Sequence, residues 1–248
     1  MELTYATFHA LFVALPIVGL SVGTSVVGKR TPLRRADATG IAILILLALV
    51  YTAPWDRHLI RQGVWGYGSG VVLLRIASVP VEELAFIALQ PILTGLWVAR
   101  LDTAGPAGVI DLRERVVGVV AAGVLLIVGL ALIATPATFY LGAIVAWGAP
   151  ILAIQWAFDW PYLRARWRTV AAGVAVPTAY LCTVDAIAIH EGVWYLSERY
   201  TTGLSIAGLP VEEAVFFLAT NLFVVQGLVL FRGLIERLEI GGAGHGAD

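Results

Sequence analysis

Seven runs of about 20 mostly apolar residues, the length needed to cross a bilayer's hydrocarbon core, follow one another along the chain. They are Thr4–Val27, Ala38–Trp55, Pro80–Ala99, Val116–Ala134, Thr138–Phe158, Val170–Ile189 and Pro210–Phe231, with short polar breaks between them. Pro16, Pro150 and Pro177 fall inside runs but do not disqualify them, because membrane helices tolerate proline. The pattern predicts an all-α membrane protein with seven transmembrane helices.

The breaks set a direction. Lys29, Arg30, Arg34 and Arg35 follow the first run, Arg100, Arg113 and Arg115 the third, Arg164, Arg166 and Arg168 the fifth, and Arg232 and Arg237 the seventh. Only Arg57, Arg61, Arg75 and Arg199 fall on the other side. Cytoplasmic loops carry the excess of basic residues, so the N-terminus is expected outside and the C-terminus in the cytoplasm, as an odd number of crossings requires. The expected location is the cell membrane, as a multi-pass protein.

Composition agrees and narrows the field. Of 248 residues, 59% are hydrophobic and 13% charged, against roughly 25% charged in a soluble domain. An ordinary soluble enzyme and a disordered chain are both excluded. A net charge of −1 shows no basic excess for nucleic acid. The single Cys182 permits no intramolecular disulfide. No basic segment precedes the first run, so it does not read as a secretory signal.

The strongest signal is an internal copy. Asp56 is followed by Gly63-Val64-Trp65 and then Pro80-Val81-Glu82-Glu83; Asp185 is followed at the same distances by Gly192-Val193-Trp194 and then, with one residue more between, by Pro210-Val211-Glu212-Glu213. Tyr51 matches Tyr180, and Ala14-Leu15-Pro16-Ile17 mirrors Gly148-Ala149-Pro150-Ile151. Three runs make up each copy and the fourth lies between, so the copies enter the membrane in the same sense, as two parallel three-helix repeats joined by a linking helix. The expected division is 1–102 for the first repeat, 103–134 for a linker (Asp102 to Asp111) with the fourth helix, 135–235 for the second repeat and 236–248 for a flexible tail. Both motif sets then lie at one depth, toward the outer side, and can converge on one site.

Carboxylates in such places are costly. An ionised acid at mid-bilayer costs about 2.5–3.5 kcal/mol on insertion scales, yet Glu82, Glu83, Glu212 and Glu213 open apolar runs and Asp185 lies inside one. Proline followed by glutamate is also an ordinary helix start, but two such starts in register, each preceded by Asp and Trp, favour a chemical role. Neighbouring helical residues point about 100° apart, so the two glutamates of a pair should differ in role. Glu82, Phe86 and Gln90, with Glu212, Phe216 and Thr220, form polar-then-aromatic stripes read here as facing a cavity. Desolvation and a second carboxylate nearby both favour a neutral acid, so one protonated acid beside one ionised base is expected, the arrangement for general acid–base chemistry. Trp65, Trp194, Tyr195, Phe86 and Phe216 offer faces that can stabilise a passing cation; for a single tryptophan an interfacial belt is the commoner explanation.

Other features carry less. Arg75 can pair with a motif carboxylate or extend to the interface. His9, His58, His190 and His245 lack usable ligand spacing, so no metal is expected. Gly242 to Ala247 loosely fits a dinucleotide fingerprint without the flanking strand and helix that would give it meaning.

The doubled Asp…Gly-Val-Trp…Pro-x-Glu-Glu pattern resembles that of the small integral-membrane lycopene cyclases, which occur as two chains in some bacteria and as one fused chain in haloarchaea. The likeness is to the fused type and runs from about Thr4 to Arg232. It implies cyclisation of the linear ψ-ends of lycopene to β-rings, giving β-carotene, through a carbocation and without cofactor. Glu82, Glu83, Glu212, Glu213, Asp56 and Asp185 are then the candidate catalytic residues, with Asp56 and Asp185 holding or reloading the proton. Candidate substrate contacts are Trp65, Trp194, Tyr195, Phe86, Phe216, Phe217, Tyr51, Tyr180 and Asn221. Lycopene, membrane lipid and other carotenoid enzymes are the expected partners. Cyclases forming ε-rings or taking longer carotenoids, and hydratases, would use the same acid step; a transporter of three-plus-one-plus-three helices would share the architecture. A retinal receptor is excluded, since the only lysine, Lys29, lies in a loop.

Overall fold

The computed structural model describes residues 3–26, 35–101 and 112–244. Lys29, Arg30, Arg34, the linker from Asp102 to Asp111 and the last four residues, 245–248, lie outside the described residues. The helices are α1 (Tyr5–His9), α2 (Leu15–Val26), α3 (Arg35–Gln62), α4 (Val81–Val98), α5 (Leu112–Ile133), α6 (Phe139–Ala165), α7 (Trp167–His190) and α8 (Val211–Gly244). A π-helical turn, Ala10–Ala14, joins α1 to α2 into one continuous rod. Among the described residues, seven helices are therefore long and apolar enough to cross a membrane, in the order the apolar runs predict.

The boundaries move for identifiable reasons. α3 runs on to Gln62, so Asp56 is inside a helix, as Asp185 is in α7. α6 continues through a break at Asp159 to Ala165, and α8 continues to Gly244, through most of the stretch expected to be a tail. Asp159 accounts for both extensions. Its Oδ1 accepts the backbone N–H of Tyr162 (3.1 Å) and restarts α6, while its Oδ2 meets Arg237 at 2.5 Å and holds the end of α8. Arg232 pairs with Asp37 at 2.6 Å nearby, tying α8 to the start of α3.

Packing centres on α8, which lies against α3, α4, α6 and α7. Val225, Leu228 and Val229 on it are buried. Between apolar helices in lipid, close van der Waals fit and small residues supply the association. Gly129 of α5 shows the consequence: a Cβ there would sit 2.5 Å from the backbone nitrogen of Ala146 in α6. Val117, Val120, Ile127 and Leu130 on the outward side of α5 remain exposed.

Among the described residues, six short strands, absent from the sequence expectation, decorate the other end. They are β1 (Trp65–Tyr67), β2 (Arg75–Ile76), β3 (Val79–Pro80), β4 (Trp194–Leu196), β5 (Ser205–Ile206) and β6 (Leu209–Pro210). β2 with β3 and β5 with β6 form tight hairpins. Their two-residue turns, Ala77-Ser78 and Ala207-Gly208, have positive φ throughout, as the turn that matches strand twist requires. β1 pairs antiparallel with β4, the equivalent strand of the other copy, with Gly66 opposite Tyr195. That cross-pairing closes the site.

Candidate active site

Each Gly-Val-Trp segment is a helix stop that delivers a ring. Gly63 adopts φ +73° and Gly192 φ +70°. The amides of Gly63 and Val64 bond back to Ile60 and Leu59, and those of Gly192 and Val193 to Ile189 and Ala188. This closing pattern satisfies the last helical carbonyls and needs glycine at the left-handed position. Val64 and Val193 are fully buried anchors, so the chain leaves each helix in one direction, and Trp65 and Trp194 follow on β1 and β4.

The two strands exchange partners across the copies. Trp65 packs on Tyr140 at 5.5 Å and on Trp55 at 6.2 Å, whereas Trp194 packs on Tyr5 and Phe8, each at 5.0 Å. Between them lies a small chamber of about 60 Å³ lined by Asp56, Glu83, Asp185 and Glu213 with the rings of Trp65, Tyr67, Phe86, Trp194, Phe216 and Phe217. The four acids come from α3, α4, α7 and α8 and stand close enough for their charges to interact. No Lys or Arg is among the lining residues.

Hydrogen bonding distinguishes the acids. Glu83 Oε2 accepts from the hydroxyls of Tyr5 (2.7 Å) and Tyr67 (2.9 Å), and the indole N–H of Trp65 donates to the Tyr67 oxygen at 3.0 Å. Glu213 Oε1 accepts from Tyr140 alone among the described residues, at 3.0 Å. Asp56 Oδ2 and Asp185 Oδ2 are buried with no hydrogen-bond partner among the described residues. Tyr67 lies outside the spans; burial, and secondarily the charge of Glu83, pushes its hydroxyl well above the ordinary phenol range, so it remains a donor.

Glu82 and Glu212 are placed elsewhere, and the stripe expectation is corrected at its acid end. Glu82 Oε1 accepts the backbone N–H of Leu73 (2.7 Å), and Glu212 Oε1 that of Thr202 (2.6 Å). The reason is angular. A side chain in the first helical turn leans back toward the N-terminus, so one glutamate of each pair meets the preceding loop while its neighbour, about 100° round, meets the chamber. The rest of each stripe does face a cavity. Phe86 and Gln90, with Phe216 and Thr220, line a second, larger one of about 540 Å³ between α3, α4, α6 and α8.

The remaining candidates divide. Phe217 lines the chamber, and Tyr51 lines the larger cavity while donating to the Trp147 carbonyl at 2.9 Å. Tyr195 is exposed on β4 and lines neither cavity. Tyr180 donates to the Phe12 carbonyl (2.8 Å), tying α7 to the π-turn. Asn221 is fully buried, its Oδ1 accepting from Gln90 (2.7 Å) and Thr94 (2.6 Å), so it joins α8 to α4. Sequence reading missed Tyr5, Tyr67 and Tyr140. The available signals were Tyr67 standing two residues after Trp65, and Tyr5 and Tyr140 each lying shortly before a matched proline, Pro16 and Pro150.

Acids from both halves, phenol donors and stacked rings around a hollow beside an apolar cleft define a helical membrane protein equipped to move protons on an apolar molecule. Comparison with known proteins gives the family. The family model described as lycopene cyclase matches residues 2–101 and 137–231, and the chain belongs to that family. It is 48% identical over 238 residues to the lycopene beta-cyclase of Halobacterium salinarum, covering 96% of this chain and 99% of that one. It is 36% identical over 203 residues to the bifunctional lycopene cyclase/phytoene synthase of Aspergillus niger, covering 78% of this chain and 35% of the fungal one. The corresponding bifunctional protein of Phaeosphaeria nodorum is 30% identical over 246 residues, 93% of this chain and 41% of that one. No solved structure matches the chain.

Proposed function

We propose that this chain is a lycopene β-cyclase of the cell membrane, with its N-terminus outside, built as two parallel three-helix repeats around one shared acid chamber. The single observation that carries the chemistry is the chamber itself, with Glu83 and Glu213 from opposite halves, held by phenols and walled by rings. The bifunctional relatives are named for a cyclase together with a synthase, and the relative matched along its whole length is named for β-cyclisation.

The division of donors suggests the division of labour. Two phenols stabilise the charged form of Glu83, suiting it to be the base; Glu213 has one and is suited to hold a proton. Glu213 gives its proton to the terminal double bond of a ψ-end, leaving a tertiary carbocation. The electrons of a second double bond in the chain close a six-membered ring and move the charge onto it. Glu83 removes a ring proton, and the remaining electrons restore a double bond. The product is an isomer, one proton in and one out. Between turnovers Glu83 loses its proton to solvent and Asp56 and Asp185 reload Glu213 from solvent, while Trp65, Trp194, Phe86 and Phe216 face the travelling charge. Water must be kept from the cation, and the paired strands β1 and β4 cover the chamber.

The test is conversion of lycopene by purified protein in lipid made up in D₂O. β-Carotene carrying one deuterium per ring is the expected product. Absence of any ring-bearing product overturns the reading.

A further inference from the structure

We propose that the apolar groove between α3, α4, α6 and α8 holds the body of the polyene substrate, laid along the helices so that one end passes Phe86 and Phe216 into the acid chamber. The inference rests on the cyclase reading and adds where the rest of the molecule sits. The chamber, at about 60 Å³, is too small for a long chain. The groove, at about 540 Å³, lies within the 300–1,000 Å³ common for ligand pockets. Phe86 and Phe216 line both cavities and are the partition between them. Phe216 is stacked parallel to Trp55 at 6.0 Å, so the passage is bordered by rings.

The shape suits a rod. Along α8 the lining runs from Phe216 to Leu234 as one stripe, about 27 Å of helix at 1.5 Å per residue. That is close to the roughly 30 Å of a bilayer's hydrocarbon. The chemistry suits an occupant without a polar head, since no Asp, Glu, Lys or Arg lines the groove. Three of its polar side chains donate to protein partners: Gln90 to Asn221 (2.7 Å), Gln155 to the Phe223 carbonyl (2.8 Å) and Thr220 to the Phe216 carbonyl (3.0 Å). Trp147 Nε1 and Gln155 Oε1 are buried with no partner among the described residues. Ile43 and Leu47 on one rim and Ile154 and Phe158 on the other are exposed, so the mouth opens sideways, where lipid chains lie.

The experiment fills the groove without touching the acids. Ala48 lines it and Leu46, two residues away, is exposed and does not. Ala48→Trp and, on the opposite rim, Ile154→Trp are compared with Leu46→Trp for lycopene turnover in lipid, for lycopene binding followed by its visible absorption, and for melting temperature. The expected result is a loss of about tenfold or more in turnover and binding for Ile154→Trp and for Ala48→Trp, with Leu46→Trp near wild type and melting temperatures preserved in Ile154→Trp. The surface position of Ile154 keeps the test valid if Ala48→Trp fails to fold. Turnover of Ile154→Trp within about twofold of wild type overturns the inference and leaves the cyclase reading intact, the outcome expected if a lipid acyl chain is the groove's natural occupant. A wild-type protein that forms no ring product overturns the cyclase reading itself.

Discussion

The two halves meet the chamber with the same acids and different donors. In the first, Glu83 is held by Tyr5 from α1 and Tyr67 from β1; in the second, Glu213 is held by Tyr140 from α6, and Leu196 stands where Tyr67 would be repeated. Several features that build the two halves are matched, including the left-handed glycines, the buried valines and the loop amides taken by Glu82 and Glu212. The doubled motif therefore gives the two acids similar surroundings, and the Tyr67 hydroxyl, with no counterpart at Leu196, sets them apart. A reaction that adds a proton at one place and removes another elsewhere needs that difference.

The sharpest way to break the comparison is to neutralise each chamber acid. Glu213→Gln should cut turnover by about 10²–10⁴, the usual contribution of a general acid. Glu83→Gln should lower β-carotene formation comparably but fail differently: the cation still forms, so ε-ring or hydrated side products should appear in the carotenoid profile. Equal profiles for the two variants would show that the halves do not divide the roles.

Removing the extra donor comes next. A hydrogen bond to a charged group is worth about 1.5–3 kcal/mol. Tyr67→Phe should therefore slow turnover by roughly tenfold to a hundredfold, since each tenfold in rate is about 1.4 kcal/mol. Steady-state assays of Tyr67→Phe beside Tyr140→Phe test whether the first donor serves the base and the second the acid.

The loop-pinning acids probe the matched part of the frame. Replacing Glu82 or Glu212 with Leu leaves a loop amide without its acceptor, a cost of about 1–3 kcal/mol, and the two costs should be alike because the contacts are. Glutamine retains a carbonyl acceptor, so Glu82→Gln and Glu212→Gln should keep most of both stability and turnover. Melting curves in detergent, read beside turnover, separate this role from a chemical one.

What could be read from the chain follows physical range. Seven apolar runs and a doubled motif are local patterns, and the order of the helices followed from them. Which glutamate of each pair faces the chamber depends on where α4 and α8 begin within their first turn, a matter of one residue that hydropathy cannot resolve. The phenols were hidden for another reason. Tyr67 reaches Glu83 because a three-residue strand pairs with its copy, Tyr67 opposite Trp194, far away in sequence. So short a strand carries no periodic signal, and such a pairing is settled only by the assembled bundle. Asn221 illustrates the converse: a polar residue in a span suggested chemistry, but its partners Gln90, Thr94 and Thr178 make it a clasp between helices.

The smallest effect at neutral pH concerns Tyr67 as a titrating group. Burial and then Glu83 hold its folded value well above that of a free phenol, which ionises near pH 10 once the chain unfolds. Above about pH 10 the unfolded chain has released a proton that the folded one keeps, so this group makes stability fall as pH rises. The full slope for one proton is about 1.4 kcal/mol per pH unit. Tyr67→Phe should remove that share of the alkaline loss while leaving the trend below pH 9 unchanged in slope. Leu196→Phe, in the matching position of the half that lacks the hydroxyl, should leave the alkaline slope as it is. Unfolding measured from pH 8 to 11 for wild type and both variants decides the point: a slope unaltered in Tyr67→Phe would mean that the Tyr67 hydroxyl does not keep its proton in the folded chamber, and the asymmetry between the halves would lose its donor.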